Sequence, residues 1–290
     1  MTFSIIIPAY NAERFIEKSI SSILNQTLQD FEILLADDGS TDNTREIIDS
    51  LKDPRIKSFH NSKNIGYLKT CNKLMLLASG DYIVFQDADD LSLPTRLQEQ
   101  LSFIEENDLD ACGTWVERID NDDKQKEIHE YPTNIKASLL NGKFNFVGGT
   151  FMVKREVVKK IGTYHEYFNR IGFEDYYWTV LIAFNYKILN IQKALYCYRQ
   201  NNDSVSSNFS NFTRDFSFRS VLVLLKQKIA GERDYLETKN SKMLKQEVFE
   251  QMIANFSSKN KRYKRQALFK CLLNQPFYLK NYKILIRNIA

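Results

Sequence analysis

The stretch GDYIVFQDADD, from Gly80 to Asp90, runs a short apolar segment straight into three carboxylates within four positions. Tyr82, Ile83, Val84 and Phe85 have the unbroken apolar character of a strand covered on both faces, as in a parallel sheet. Asp87, Ala88, Asp89 and Asp90 then stand at the strand's carboxyl end, where open α/β sheets bind their ligands. Carboxylates this close repel one another unless a cation is shared between them. Their hard oxygens suit Mg2+ or Mn2+, above all when a substrate diphosphate completes the coordination shell. Taken alone, the motif fits equally well a solvated acidic turn capping a helix that starts near Pro94.

Upstream, two further strand-loop-helix units are expected, and the second again runs into carboxylates. Phe3 to Ile7 is rich in β-branched residues and predicts a strand stopped by Pro8, whose fixed φ and missing donor end a ladder. Ala12 to Leu24 has Phe15, Ile16, Ile20, Ile23 and Leu24 at helical spacing. Phe31 to Ala36 predicts a second strand running into Asp37 and Asp38, followed by a helix over Thr41 to Leu51 with Ser40 or Thr41 as its cap. Arg55 to Phe59 and Tyr82 to Gln86 are the next strands, with helices over Gly66 to Leu77 and Pro94 to Glu105. Leu109 to Val116 is a further strand, and Gly148 to Gly162 a strand entering a helix. Strands alternating with helices give a parallel sheet with right-handed crossovers. Three loops then share one edge, Pro8 to Asn11, Asp37 to Thr41 and Gln86 to Asp90, and a nucleotide fits across them.

Composition sets the remaining bounds. Of 290 residues, 43% are hydrophobic and 26% charged, enough for one large domain or one domain with an appendage. Cys71, Cys112, Cys197 and Cys271 show no paired spacing, so neither a disulfide framework nor a zinc site is expected, and a reducing cytoplasm fits. The opening MTFSIIIPAYNAERF has no basic leader, and no run of about 18 apolar residues occurs, so no membrane span is expected. Charge is divided unevenly: residues 220–290 hold 15 Lys and Arg against 5 Asp and Glu, and residues 1–219 hold 25 against 31. This shift and the polar run Asn201 to Asn211 place an expected boundary near residue 210. Neither GxGxxG nor GxxxxGK[ST] occurs, so a diphosphate must be met by a metal rather than by a glycine-rich nest.

SIIIPAYNAERFIEKSISSILNQT, FEILLADDGSTDNT, NIGYLKTCN and GDYIVFQDADD together resemble, in order and spacing, the motifs of glycosyltransferase family 2. The resemblance covers roughly residues 1–210. It implies an inverting enzyme of the GT-A fold: a Rossmann-like, mostly parallel sheet flanked by helices, here with a helical appendage over 211–290. It also implies a nucleotide-sugar donor, a UDP-sugar, bound by Pro8, Ala9, Tyr10, Asn11, Asp38, Asn64, Gly66, Asn72, Asp87 and Ala88. In this reading Asp38 meets the uracil, Asp89 binds Mn2+ or Mg2+ with Asp87 beside it, and Asp90 supports them. Glu174 and Asp175 open a predicted helix, where acidic residues also favour the helix dipole; the resemblance makes Asp175 the general base, with Glu174 next to it.

The chain departs from the family pattern at two points. Asn201 replaces a histidine that serves some members as a metal ligand, and Cys71 replaces an arginine, leaving Lys69 or Arg199 to supply charge near the phosphates. His60, His129 and His165 have no ligand spacing and read as structural. No Gln-x-x-Arg-Trp follows Asp175 and no spanning helix is expected, which argues against a processive synthase.

The carboxyl-terminal region predicts helices over Phe216 to Ile229, Lys242 to Phe256 and Tyr263 to Leu273. After Glu250 there are nine basic residues and no acidic ones. Aromatics interleave with these bases at Phe256, Tyr263, Phe269 and Tyr278, which suits docking on an anionic bilayer; with an acidic catalytic part attached, a membrane surface is favoured over nucleic acid. The expectation is a cytoplasmic enzyme at the inner membrane face, moving a sugar to a glycan or lipid-linked acceptor for a surface polysaccharide. A sugar nucleotidyltransferase would show a basic glycine-rich loop near the start. A non-catalytic sugar-nucleotide-binding or scaffold protein would show no turnover.

Overall fold

The computed structural model describes residues 1–200 and 211–255. Among these, one compact unit holds 1–170 and 174–200, and a second holds 171–173 and 211–255. In the first unit, strands β1 (Phe3–Ala9), β2 (Phe31–Asp37), β3 (Ile56–His60) and β4 (Tyr82–Phe85) are separated by helices α1 (Ile16–Leu24), α2 (Thr44–Ser50) and α3 (Tyr67–Leu77). They lie in the order β3-β2-β1-β4, all parallel, with Phe3 opposite both Phe31 and Tyr82. The strand order reverses at β1, so the crevice of this sheet opens at the carboxyl ends of β1 and β4. The acidic stretch ends there.

Beyond β4 the sheet becomes mixed. After β5 (Leu91–Ser92) and helix α4 (Arg96–Glu106) come β6 (Ala111–Ile119), β7 (Gln125–His129), α5 (Ile135–Leu140), β8 (Met152–Lys154), α6 (Arg155–Ile161), α7 (Glu174–Asn185) and β9 (Ile188–Arg199). β8 pairs antiparallel with both β4 and β6, β6 runs parallel to β9, and β5 and β7 add antiparallel to β9 and β6. The sheet is thus parallel from β3 to β4 and mixed beyond it.

Packing follows the apolar pattern. Every residue of β1 and β2 is buried. α1 turns Ile16, Ile20 and Ile23 onto Ile5, Ile7, Ile33 and Leu35, each such side chain contributing about 1.5–3 kcal/mol of burial. Gly80 opens the fourth strand because there is no room for a side chain: a Cβ would lie 2.6 Å from the backbone carbon of Phe3, while its N–H donates to Ser4 Oγ at 2.8 Å.

Several boundaries differ from the sequence expectations, each for a local reason. β1 does not stop at Pro8 but continues to Ala9, with Pro8 opposite Ala36. Ile6 O accepts from Gln86 N and Ala9 O from Asp38 N, so even-numbered β1 residues face β4 and odd-numbered ones face β2. β4 ends opposite Ile6, and the donorless nitrogen of Pro8 costs the ladder nothing. α1 begins at Ile16 rather than Ala12, after a turn in which Asn11 has φ 50°. α2 begins at Thr44, and neither Ser40 nor Thr41 caps it. Their N–H groups go to Asp37 Oδ1 and Asn11 Oδ1, while Asp42 Oδ1 takes the Thr44 N–H. β5, β7, α5 and β9 were not anticipated.

In the second unit, α8 (Asn211–Ile229) and α9 (Ser241–Asn255) pack together, with Phe216 stacked on Phe249 at 4.9 Å and Val221, Leu224, Leu244 and Val248 buried. No helix among the described residues is long and apolar enough to cross a membrane. The predicted helix over Tyr263 to Leu273, the basic stretch after Glu250 beyond Asn255, and Asn201 lie outside the described residues.

Candidate active site

The acidic strand end is held from four sides. Tyr67, at the first turn of α3, donates its hydroxyl to Asp87 Oδ1 at 2.9 Å. The Asp87 N–H donates to Tyr196 Oη at 3.1 Å, and Ser19 Oγ of α1 donates to the Asp87 carbonyl at 2.9 Å. Arg199, the last residue of β9, donates its N–H to Asp90 Oδ1 at 2.7 Å and its Nε–H to the Asp89 carbonyl at 2.6 Å. Beneath them Arg96 is fully buried, donating to the carbonyls of Phe85 and Gly149, both at 3.0 Å, and to Gln86, Ser92 and Gln100. Burial lowers its guanidinium to about 10, and it faces the carboxylates from below as a buried cation.

Glu174 and Asp175 form the first turn of α7, both half-buried. They reach the same crevice across the tight turn Gly148–Thr150. A Cβ on Gly148 would lie 2.7 Å from Asp175 Oδ2, and one on Gly149 would lie 2.8 Å from Asp87 Oδ2. Successive glycines thus touch the two carboxylates.

The electrostatics follow from burial with little compensating charge. Burial, with the charge of Asp89, pushes Asp87 up to about 7. Asp90 is driven well above the usual range by burial and by Asp89 and Asp87, and Asp89 is raised by burial. Burial, then Asp175, takes Glu174 to about 8. Burial takes Asp175 to about 6, opposed by a 2.9 Å bond from the Tyr176 N–H.

The donor-side residues are not all equally available. Asp38, 2% exposed, accepts from Asn61 Nδ2 and Ile65 N on Oδ1 and from Gly66 N on Oδ2, all at 2.9 Å. That pins the loop 61–66 to the end of β2 and uses the Gly66 donor. Asn11 holds Thr41 and Ser40, bringing the first two loops together, and Tyr10 is 44% exposed at their rim. Pro8 and Ala9 end β1 beneath them. Asn72 exchanges two bonds with the Tyr164 backbone, at 2.8 and 2.9 Å, so its amide is occupied away from the crevice. Ala88 packs into the core and offers only its backbone.

Neither expected phosphate-side cation is free. Arg199 is buried on Asp89, Asp120 and Asp123, and Lys69 pairs with Glu166 at 3.2 Å. Exposed Arg170 instead donates to the carbonyl and Oδ1 of Asn64 at 2.9 and 3.1 Å. Tyr67, Arg96 and Tyr196 also belong to the site without having been anticipated, as does the Gly148–Gly149 pair, which opens the segment expected as a strand entering a helix and resembling the family's acceptor-side segment. Arg96 and Gln100 were detectable as polar residues four apart on the face of α4 that carries Leu97 and Ile104. Tyr67 and Tyr196 had no such signal.

Among the described residues, no three His, Cys, Asp or Glu side chains converge as a complete metal cage. The donor set nonetheless fits a hard divalent cation. Asp90 Oδ2 is buried with no hydrogen-bond partner, and Asp87 and Asp89 present oxygens whose charge is disfavoured without a cation. Two carboxylates leaving places for phosphate oxygens and water is how Mg2+ is commonly held.

The Glycosyl transferase family 2 profile matches residues 4–162, which include the acidic strand end and the glycine pair and stop before Glu174. The chain is 32% identical over 207 residues to the Escherichia coli UDP-Glc:alpha-D-GlcNAc-diphosphoundecaprenol beta-1,3-glucosyltransferase WfgD, covering 71% of this chain and 79% of that one. It is 40% identical over 119 residues to an uncharacterized glycosyltransferase of Haemophilus influenzae, spanning 40% of this chain and 37% of the relative. The crystal structure of S. aureus TarS residues 1–349 in complex with UDP-GlcNAc superposes with a TM-score of 0.70 at 20% identity, covering 94% of this chain and 81% of that one. The mixed, helix-flanked sheet is the GT-A fold, and the chain belongs to glycosyl transferase family 2.

Proposed function

We propose that the chain is a metal-dependent inverting glycosyltransferase that takes a sugar from a UDP-sugar and places it on a glycan or lipid-linked saccharide acceptor of surface polysaccharide synthesis. The observation that carries this is the meeting of two carboxylate groups across Gly148–Gly149, Asp87 with Asp89 and Asp90 on one side and Asp175 with Glu174 on the other. A UDP-linked donor and a lipid-diphosphate acceptor are named for WfgD, a relative covered over most of its length.

In this reading the catalytic part is residues 1–210, and the basic region 211–290 docks on an anionic membrane from the cytoplasmic side. Asp89 and Asp87 would hold Mn2+ or Mg2+, which would supply positive charge against the leaving diphosphate. The chain's own residues do the rest. The loops Pro8–Asn11 and Asp38–Thr41 hold the nucleoside, Asp38 chiefly by fixing the loop 61–66 beside it. Asp175 accepts the proton of the acceptor hydroxyl as its oxygen bonds to the anomeric carbon and the bond to the diphosphate oxygen breaks on the opposite face. A base near pH 6 suits that task, being ionised at neutral pH. Glu174, raised higher, stays protonated beside it.

The test is the melting temperature of the full chain with UDP, in MnCl2 and in EDTA. Binding to the folded state alone stabilises by mass action, so UDP should raise it well above the EDTA value only with the metal. Asp89→Ala should abolish the difference. Equal stabilisation by UDP in both buffers would overturn the metal assignment, and none in either would overturn the donor.

A further inference from the structure

Gly148 and Gly149, like Gly80 and Gly113, differ from the remaining glycines in why they are glycines. Gly39, Gly66, Gly142, Gly162, Gly172 and Gly231 have positive φ, the region that disfavours side chains. Gly148 and Gly149 do not, so their backbones would accept alanine. What excludes a side chain is space. At Gly148 the nearest atoms are all of Asp175: Oδ2 at 2.7 Å, Cβ at 3.1 Å and Cγ at 3.4 Å. At Gly149 they are Tyr196 Oη at 2.7 Å, Asp87 Oδ2 at 2.8 Å and Tyr196 Cζ at 3.1 Å.

The backbone here is fixed from outside the crevice. Arg96 holds the Gly149 carbonyl at 3.0 Å, Phe151 N donates to the Gly148 carbonyl at 3.1 Å, and Thr150 closes the turn onto Val147 through both its N–H and its hydroxyl. Thr114 N in β6 then donates to the same Thr150 hydroxyl at 3.3 Å. An added methyl group therefore cannot be relieved by shifting the turn. It must displace the end of a side chain, Asp175 at Gly148 and both Tyr196 and Asp87 at Gly149, and the two carboxylates belong to different halves of the proposed site.

We infer that the Gly148–Gly149 pair is a positioning element that sets the separation of the base carboxylate from the donor-side carboxylates, Gly148 seating Asp175 and Gly149 seating Asp87. The inference rests on the glycosyltransferase reading only for what the two carboxylates do. That each glycine seats its own carboxylate is independent of it. In the proposed reaction the acceptor hydroxyl must lie between Asp175 and the anomeric carbon of the donor held beside Asp87. The pair brings the two within reach of one bond-forming event, and a misplacement of about 1 Å suffices to cost a large factor in rate.

The test uses Gly148→Ala and Gly149→Ala in the full chain, each alone and combined with Asp175→Ala or Asp87→Ala, read first by melting temperature. If the contacts are as described, the drop caused by Gly148→Ala shrinks by at least about half in the Asp175→Ala background and not in the Asp87→Ala background. Gly149→Ala shows the reverse when the comparison is made with Tyr196→Phe throughout, which removes the nearer hydroxyl at 2.7 Å, because coupling marks groups that touch. Four additive combinations, or coupling without the crossed pattern, would overturn the inference whatever the enzyme's activity.

The second readout is Mn2+-dependent UDP affinity and turnover of UDP-glucose. Gly148→Ala should leave UDP affinity within about twofold while lowering turnover about 100-fold or more, the scale of a misplaced general base. Gly149→Ala should weaken UDP binding at least about 10-fold in MnCl2 and little in EDTA. A generally loosened turn would instead lower both readouts together in both variants, and that result would also overturn the inference. Wild-type protein with no metal-dependent UDP binding, but with the crossed coupling intact, would remove the glycosyltransferase reading and leave the seating of the two carboxylates standing.

Discussion

The backbone N–H of Arg199 donates to Asp90 Oδ1 at 2.7 Å, joining the last residue of β9 to the last carboxylate of the acidic strand end. The guanidinium of the same residue spans Asp89 O, Asp120 O and Asp123 over the Phe15 ring, 4.4 Å from its centroid. One buried side chain therefore fixes the turn that carries Asp89 and ties it to the β6–β7 connection. Arg199→Lys keeps the charge but loses the fork that reaches three acceptors. It should lower stability by at least about 1.5–3 kcal/mol, the scale of one charged hydrogen bond, and reduce the Mn2+-dependent UDP stabilisation. Urea unfolding and the UDP melting shift check both; an unchanged shift would show that the turn holds itself.

Much of the fold was legible because it rests on local pattern. The apolar strands, the α1 face of Ile16, Ile20 and Ile23, and the carboxylates at strand ends are short-range features. The parts that escaped are tertiary. Pro8 continues β1 because β4 has already ended on its donorless side, which no reading of β1 alone reveals. β9 pairs with β6 across the intervening β7, α5, β8, α6 and α7. Asn72 and Arg199 have the residue types of ligands, yet their polar atoms are spent on Tyr164 and on Asp89, Asp120 and Asp123. A sequence gives the donor; only the fold gives its acceptor.

Asp175 and Glu174 are neighbours with different surroundings, so their conservative amides should behave differently. Asp175→Asn keeps the shape and cannot accept a proton. Turnover should fall by about two to four orders of magnitude with UDP affinity nearly unchanged. Glu174→Gln replaces a carboxyl already protonated near neutral pH and should cost less than about tenfold. Steady-state kinetics of UDP-sugar turnover separates them. If Glu174→Gln is the more damaging change, the base is Glu174.

The charge division between residues 1–219 and 220–290 predicts salt-sensitive association with anionic vesicles. Each basic residue near such a surface contributes about 1 kcal/mol. Changing Lys261, Arg262, Lys264 and Arg265 together to Glu should abolish co-sedimentation with phosphatidylserine vesicles at low salt and leave UDP binding intact. Binding that ignores both salt and charge reversal would remove the electrostatic tail, and preference for nucleic acid would replace the bilayer as its partner.

The raised carboxyls make stability and metal binding move in opposite directions with pH. Asp87 near 7, Glu174 near 8, Asp175 near 6 and Asp90 well above its ordinary value all hold protons in the folded chain that the unfolded chain has lost above about pH 4. Between about pH 4 and 8 the native state therefore binds more protons than the unfolded state, and the slope of unfolding free energy against pH is negative. Carboxylates held low, such as Glu32 at about 2 with Lys57 and Ser4 as partners, act in the opposite sense but only below that window. The metal-free protein should melt at a higher temperature at pH 5.5 than at pH 8, and Asp87→Asn, which removes one ionisation, should flatten the difference. A divalent cation favours the ionised forms and competes with the protons. MnCl2 with UDP should therefore raise the melting temperature more at pH 8 than at pH 5.5, and EDTA should remove the gain. Stability in EDTA that rises from pH 5.5 to 8 would mean that these carboxyls are ionised without a cation, and the case for a metal at Asp87 and Asp89 would lose its electrostatic basis.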